Sequence, residues 1–127
     1  MKYLLDTHAF MWMDSEPEKL SARVQQLCQD TENTLMLSVV SIWEMQIKNQ
    51  LGKLQLKMPL AELIREQQEN GIEILPVEAA HIFALESLPN LHKDPFDRLL
   101  VAQAIVEGAI LISVDPLITQ YSVQVEW

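Results

Sequence analysis

The 127-residue sequence has one cysteine, three glycines and no apolar run near the ~20 residues that a membrane-spanning helix requires. A single thiol excludes an internal disulfide and fits a reducing, cytoplasmic compartment. Cys28 itself reads as a small buried hydrophobe within a helix. The opening "MKYLLDTHAF" imitates a secretion signal only until Asp6 and His8 interrupt it. Repeats, low-complexity tracts and linker-like stretches are absent, so the length indicates one domain, residues 1–127, with room for a real core. Bases are scarce as well: 9 stand against 18 acids, for a net charge of −9. Taken alone, that balance argues against a nucleic-acid partner and favours divalent cations and basic partners. The histidines, His8, His81 and His92, show no ligand spacing, so nothing points to zinc.

What the chain does have is alternation. Short apolar runs at 2–5, 35–39, 72–75, 109–114 and 123–127 read as buried strands. Helical patterns lie between them, near 8–13, 18–29, 41–50, 60–70, 78–86 and 95–107, with a further short turn after Asp115. Gly71 and Gly108 fall where helix ends call for positive φ. Strand–helix alternation implies right-handed crossovers, hence a three-layer α/β/α sandwich with a central, mainly parallel sheet of about five strands. The ligand crevice of such a sheet lies at the carboxyl ends of its strands, where the strand order reverses.

Four carboxylates fall near that edge. Asp6 closes the first strand in "YLLDTH", and Asp115 closes the fourth in "LISVDP". Glu44 lies three residues after Ser41, in the first turn of the helix that follows strand two. In "HKDPFDRLL", Asp94 reads as the N-cap ahead of Pro95, which leaves Asp97 at the third helical position. Each acid has a local explanation: Asp6 and Asp115 as caps, Ser41 and Glu44 as a capping box. Together they converge on one crevice, and four carboxylates repel one another unless a hard cation joins them. Mg2+ or Mn2+ suits oxygen ligands with retained waters, and an open site of this kind suits phosphodiester hydrolysis. Arg98 reads equally as a residue that steadies a carboxylate or a phosphate and as an ordinary surface arginine.

The stretches "LLDTHAFMW", "VVSIWEMQIKNQLGKLQL", "DPFDRLLVAQA" and "LISVDPLI" resemble, in order and spacing, the signature regions of PIN-domain proteins. They are most similar to the VapC-type ribonuclease toxins of bacterial toxin–antitoxin pairs, from Lys2 to about Tyr121. Position by position, the resemblance makes Asp6, Glu44, Asp97 and Asp115 the catalytic, metal-holding acids. Ser113 matches the hydroxyl residue two places before the last acid, where threonine is common. Thr7 fits as a supporting residue, and Trp12 and Trp43 read as core anchors. The resemblance further implies a PIN fold, a structured RNA substrate such as a tRNA or rRNA loop, a homodimer and a cognate antitoxin.

Two other classes compete. A haloacid-dehalogenase-like phosphatase also carries an aspartate after strand one, but needs a second two residues on, where this chain has His8. A non-catalytic PIN-like module would bind RNA or protein without cutting. One feature bears on RNA directly: residues 45–61 contain no acid, and Lys48, Lys53 and Lys57 all fall there. Following Glu44 as they do, these lysines are expected to flank the crevice as a strip that guides phosphates.

Overall fold

The computed structural model describes residues 1–127. Five strands form one sheet: β1 (Lys2–Leu5), β2 (Thr34–Ser38), β3 (Glu73–Leu75), β4 (Ile110–Ile112) and β5 (Val125–Glu126). Their order is β3-β2-β1-β4-β5, and all four pairings are parallel. The helices are α1 (Thr7–Ser15), α2 (Ala22–Gln29), α3 (Val39–Gln50), α4 (Leu60–Glu69), α5 (Ala79–Ala84) and α6 (Pro95–Glu107). None is long and apolar enough to cross a membrane.

Alternation along the strands builds two cores. Tyr3 and Leu5 of β1, with Leu35 and Leu37 of β2, face a cluster of 15 buried residues that includes Phe10 of α1, Val24 and Leu27 of α2, and Leu63 of α4. Leu4, Met36 and Leu111 point to the opposite face, into 11 buried residues that include Leu100, Val101 and Ala104 of α6. Covering both faces with helices is what makes near-continuous apolar strands soluble, and it gives the expected three-layer sandwich. Cys28 sits half-buried against the first core rather than fully inside it.

The helix ends follow local chemistry. Asp94 caps α6 by accepting from the backbone N–H of Phe96 (2.8 Å) and Asp97 (3.3 Å), with Pro95 next in the chain. Gly108 closes the same helix at φ 64°, a left-handed conformation that costs glycine nothing. Residues 18–29 divide into a 3-10 turn (Pro17–Lys19) and α2, because the Ser21 hydroxyl caps α2 through the Val24 N–H (3.1 Å).

The start of α3 departs from expectation. β2 runs into α3 without a loop, and Ser38, not Ser41, is the cap, accepting from the Val40 N–H at 3.0 Å. Ser38 also donates to Gln103 Oε1 at 2.5 Å, which ties the start of α3 to α6. No Ser41–Glu44 capping box exists, and the buried Ser41 hydroxyl has no hydrogen-bond partner. Glu44 consequently lies in the second turn of α3, not the first.

Candidate active site

The strand order turns between β1 and β4, so the crevice opens at their carboxyl ends. There the backbone N–H of Asp6 donates to the Ile112 carbonyl at 3.0 Å, which holds the ends of β1 and β4 together. Asp6 is buried and caps α1 through the Ala9 N–H (2.8 Å). Its carboxyl is raised above its ordinary value, chiefly by burial and slightly by Asp115; Ser113, the Ala9 amide and His8 oppose the rise. Ser113, just past β4, is buried, and its hydroxyl accepts from the Asp115 N–H at 3.1 Å.

Glu44 reaches the same edge from α3. Thr7 donates to its Oε1 at 2.7 Å, and Lys48, one turn along the helix, lies 2.7 Å from its Oε2. A nearly buried carboxylate thus has one oxygen on a hydroxyl and the other on an ammonium.

Asp97 projects from the first turn of α6. Burial pushes its carboxyl up to about 7; Asp94, Glu44 and Asp6 add repulsion, and His92 pulls the other way. The Asp97 carboxyl thus feels the charge of three other acids. Asp115 caps the turn after β4 through the Leu117 N–H (2.9 Å), so its local role as a cap and its place beside the other acids coexist.

The sequence offers little that marks His92 as part of the site. Its Nε2 lies 2.9 Å from Asp115 Oδ2 and 3.1 Å from Asp97 Oδ2. Its Nδ1 accepts from the Asp94 N–H at 3.2 Å, so Nε2 carries the hydrogen that the two carboxylates share. His92, Asp97 and Asp115 are close enough for one cation to bind all three. Ligand spacing in sequence does not find such a residue, because Asp115 is 23 positions away; its nearness to "DPFD" was the only hint.

Other expectations change. Arg98 spends its guanidinium on the Pro89 carbonyl (2.8 Å) and the Tyr121 hydroxyl (3.1 Å), and forms no ion pair with the acids. Tyr121 in turn accepts from the His92 N–H at 2.9 Å, so Arg98 braces the loop that carries His92. Of the three lysines, only Lys48 touches an acid of the cluster. After Glu44, α3 carries the chain roughly 9 Å further before ending at Gln50, away from the crevice. Lys57 lines a cleft with Asp14 and Ser15 at the far end of α1, and Lys53 follows the end of α3. The Lys53 N–H donates to the Lys48 carbonyl at 2.9 Å, so these two positions adjoin where α3 ends, while Lys57 lies by the far end of α1. Trp12 packs against the first core and Trp127, as an anchor should. Trp43 does not: it is 60 % exposed, with its ring against Phe96 (centroids 5.2 Å).

A second acid–histidine group, Glu78, His81 and Glu107, joins α5 to α6. Both imidazole nitrogens are engaged there: Nδ1 accepts from the Glu78 N–H and Nε2 faces Glu107, each at 2.9 Å. It is a satisfied buried bracket, apart from the crevice.

Comparison with known proteins gives the family of the chain. Residues 3–123 match the PIN domain family. The chain is 31% identical over 114 residues to Ribonuclease VapC22 of Mycobacterium tuberculosis, covering 88% of this chain and 85% of the relative. Among solved structures, the fold is similar to a chain of VapBC2 from Rickettsia felis bound to a DNA fragment from their promoter. That match has a TM-score of 0.74 and 20% identity, over 99% of this chain and 98% of the other. VapBC-1 from nontypeable Haemophilus influenzae gives a TM-score of 0.63 at 21% identity, over 99% of this chain and 97% of the other. With the fold, the four acids in order and these likenesses together, the chain belongs to the PIN-domain family, among its VapC-type members.

Proposed function

We propose that this protein is a Mg2+- or Mn2+-dependent endoribonuclease, the toxin of a toxin–antitoxin pair, which hydrolyses a phosphodiester bond in a structured RNA such as a tRNA or rRNA loop. The observation that carries this reading is the convergence of Asp6, Glu44, Asp97 and Asp115 on one sheet edge, with the Asp97 carboxyl pushed up to about 7. The donor set fits a hard divalent cation. It is rich in carboxylate oxygen and electrostatically strained, and its oxygens are engaged by Lys48 and His92, positions where positive charge or a donor is wanted. A cation bound there would supply a water of lowered pKa and would offset charge developing on the scissile phosphate.

The chain's own residues do the rest. Asp6, Glu44 and Asp97 would hold the cation, with Asp115 beside them to assist. Thr7 fixes the orientation of Glu44 through its 2.7 Å hydrogen bond. Ser113 holds the backbone of Asp115 in place. Lys48 carries the ammonium nearest the acids and is suited to meet a phosphate oxygen.

The named relative, a ribonuclease, supports the substrate class, and the VapBC fold neighbours support a protein antitoxin as partner. A net charge of −9 suits a basic antitoxin segment. A homodimer acting in the cytoplasm completes the proposal. The test is cleavage of RNA with and without Mg2+ or Mn2+, by the natural protein and by Asp6→Asn. Cutting should require the cation and fall by orders of magnitude in the variant; equal cutting by both would refute the reading.

A further inference from the structure

Trp43 is the anomaly of the site's surroundings. A large indole that is 60 % exposed on a regular helix lies outside both cores, and its backbone position is directly before Glu44. Successive helical residues turn by about 100°, so Glu44 is buried against Thr7 among the acids while Trp43 comes out to solvent beside them. Its ring meets Phe96 at 79° with centroids 5.2 Å apart, and Phe96 directly precedes Asp97. One aromatic pair is therefore fastened to two of the four acids, one ring on α3 and the other on α6. Phe96 is partly buried against the second core, so it can act as a fixed backstop. Val39, one turn earlier on α3, is also exposed and extends the apolar rim.

We infer that Trp43, held by Phe96, is a substrate-positioning platform on which an unstacked nucleobase next to the scissile phosphate stacks. The inference rests on the RNA-cleaving reading above and gives that reading a source of affinity. A chain of net charge −9 that presents four carboxylates gains little attraction for a polyanion from its overall charge. Stacking on an aromatic face does not depend on charge and accepts any base, and single-stranded loops offer bases that are free to stack. The same contact places the adjoining phosphate over the acids, because Trp43 and Glu44 are neighbours in the chain.

The test uses the natural protein and Trp43→Leu on a single-stranded RNA oligonucleotide whose cut site has been mapped with Mg2+. A matched set of oligonucleotides carries one abasic nucleotide at successive positions around that site. The natural protein should cut the intact RNA, which separates this test from failure of the ribonuclease reading itself. Trp43→Leu should raise KM roughly tenfold to a hundredfold with a smaller change in kcat, and leave the salt dependence unaltered. One abasic position should impose a similar penalty on the natural protein and almost none on the variant. Trp43→Phe should recover most of the affinity. An equal abasic penalty in both proteins, or an unchanged KM, would overturn the inference. So would a change of oligomeric state in Trp43→Leu by light scattering, which would assign Trp43 to a contact between subunits.

Discussion

The Lys48 ammonium lies 2.7 Å from Glu44 Oε2, one helical turn away, on a carboxylate assigned to the proposed metal centre. Lysine and a bound cation therefore compete for the same carboxylate. Lys48→Gln should cost the metal-free protein about 1 kcal/mol, since the pair is half-exposed on the lysine side. The same variant should bind Mn2+ more tightly and show a larger metal-induced rise in melting temperature. Thermal unfolding across a Mn2+ titration measures both effects, and a smaller rise than in the natural protein would contradict the competition.

Asp97 links the site to pH. Its carboxyl is raised from 3.8 to about 7, so between those values the folded protein holds a proton that the unfolded chain has released. Its contribution to stability is present at the acid side of that window and lost as pH rises through about 7. Without metal, the protein should lose on the order of 2–4 kcal/mol from this group between about pH 5 and pH 8. Asp97→Asn should flatten that slope in denaturant unfolding with a chelator present. A slope unchanged in the variant would show that Asp97 is not the strained group. Added Mg2+ should favour the higher pH, because the cation requires the ionised carboxylate.

Thr7 supports Glu44 from α1, and Thr7→Val keeps the shape of the side chain while deleting its hydroxyl. Loss of the 2.7 Å hydrogen bond should weaken metal binding roughly tenfold, with little change in fold. Calorimetric titration with Mn2+ checks this, and an unchanged affinity would leave Thr7 with a purely local role.

Much of this architecture can be read from the residues. Helix α6 starts and stops at the predicted Pro95 and Glu107, because Asp94, Pro95 and Gly108 mark its ends by local chemistry. The failures share a cause, which is that side-chain direction depends on packing. Val39 and Val40 read as the end of a strand or the approach to a helix, yet they begin α3, because Ser38 caps it and is pinned to Gln103, 65 positions away. Trp43 reads as core by residue type, while its phase on α3 turns it outward beside Glu44. Lys48 pairs with Glu44 because it lies one turn further along α3, whereas Lys53 and Lys57 come after the helix has ended. His92 joins Asp97 and Asp115 only once the sheet has brought β4 beside β1.

The two aspartates of "DPFD" put the central claim to its sharpest test, because they lie three residues apart with opposite assignments. Asp94 caps α6, and Asp94→Ala should cost about 1 kcal/mol while leaving much of the RNA cleavage. Asp97 belongs to the proposed metal centre, and Asp97→Asn should keep the fold and lose cleavage by orders of magnitude. The decisive measurement is Mg2+-dependent cleavage of one RNA by the natural protein and both variants, each confirmed folded by its melting curve. The account predicts cutting by the natural protein and Asp94→Ala, and almost none by Asp97→Asn. Cleavage by Asp97→Asn at the natural rate, or equal losses in both variants, would contradict it.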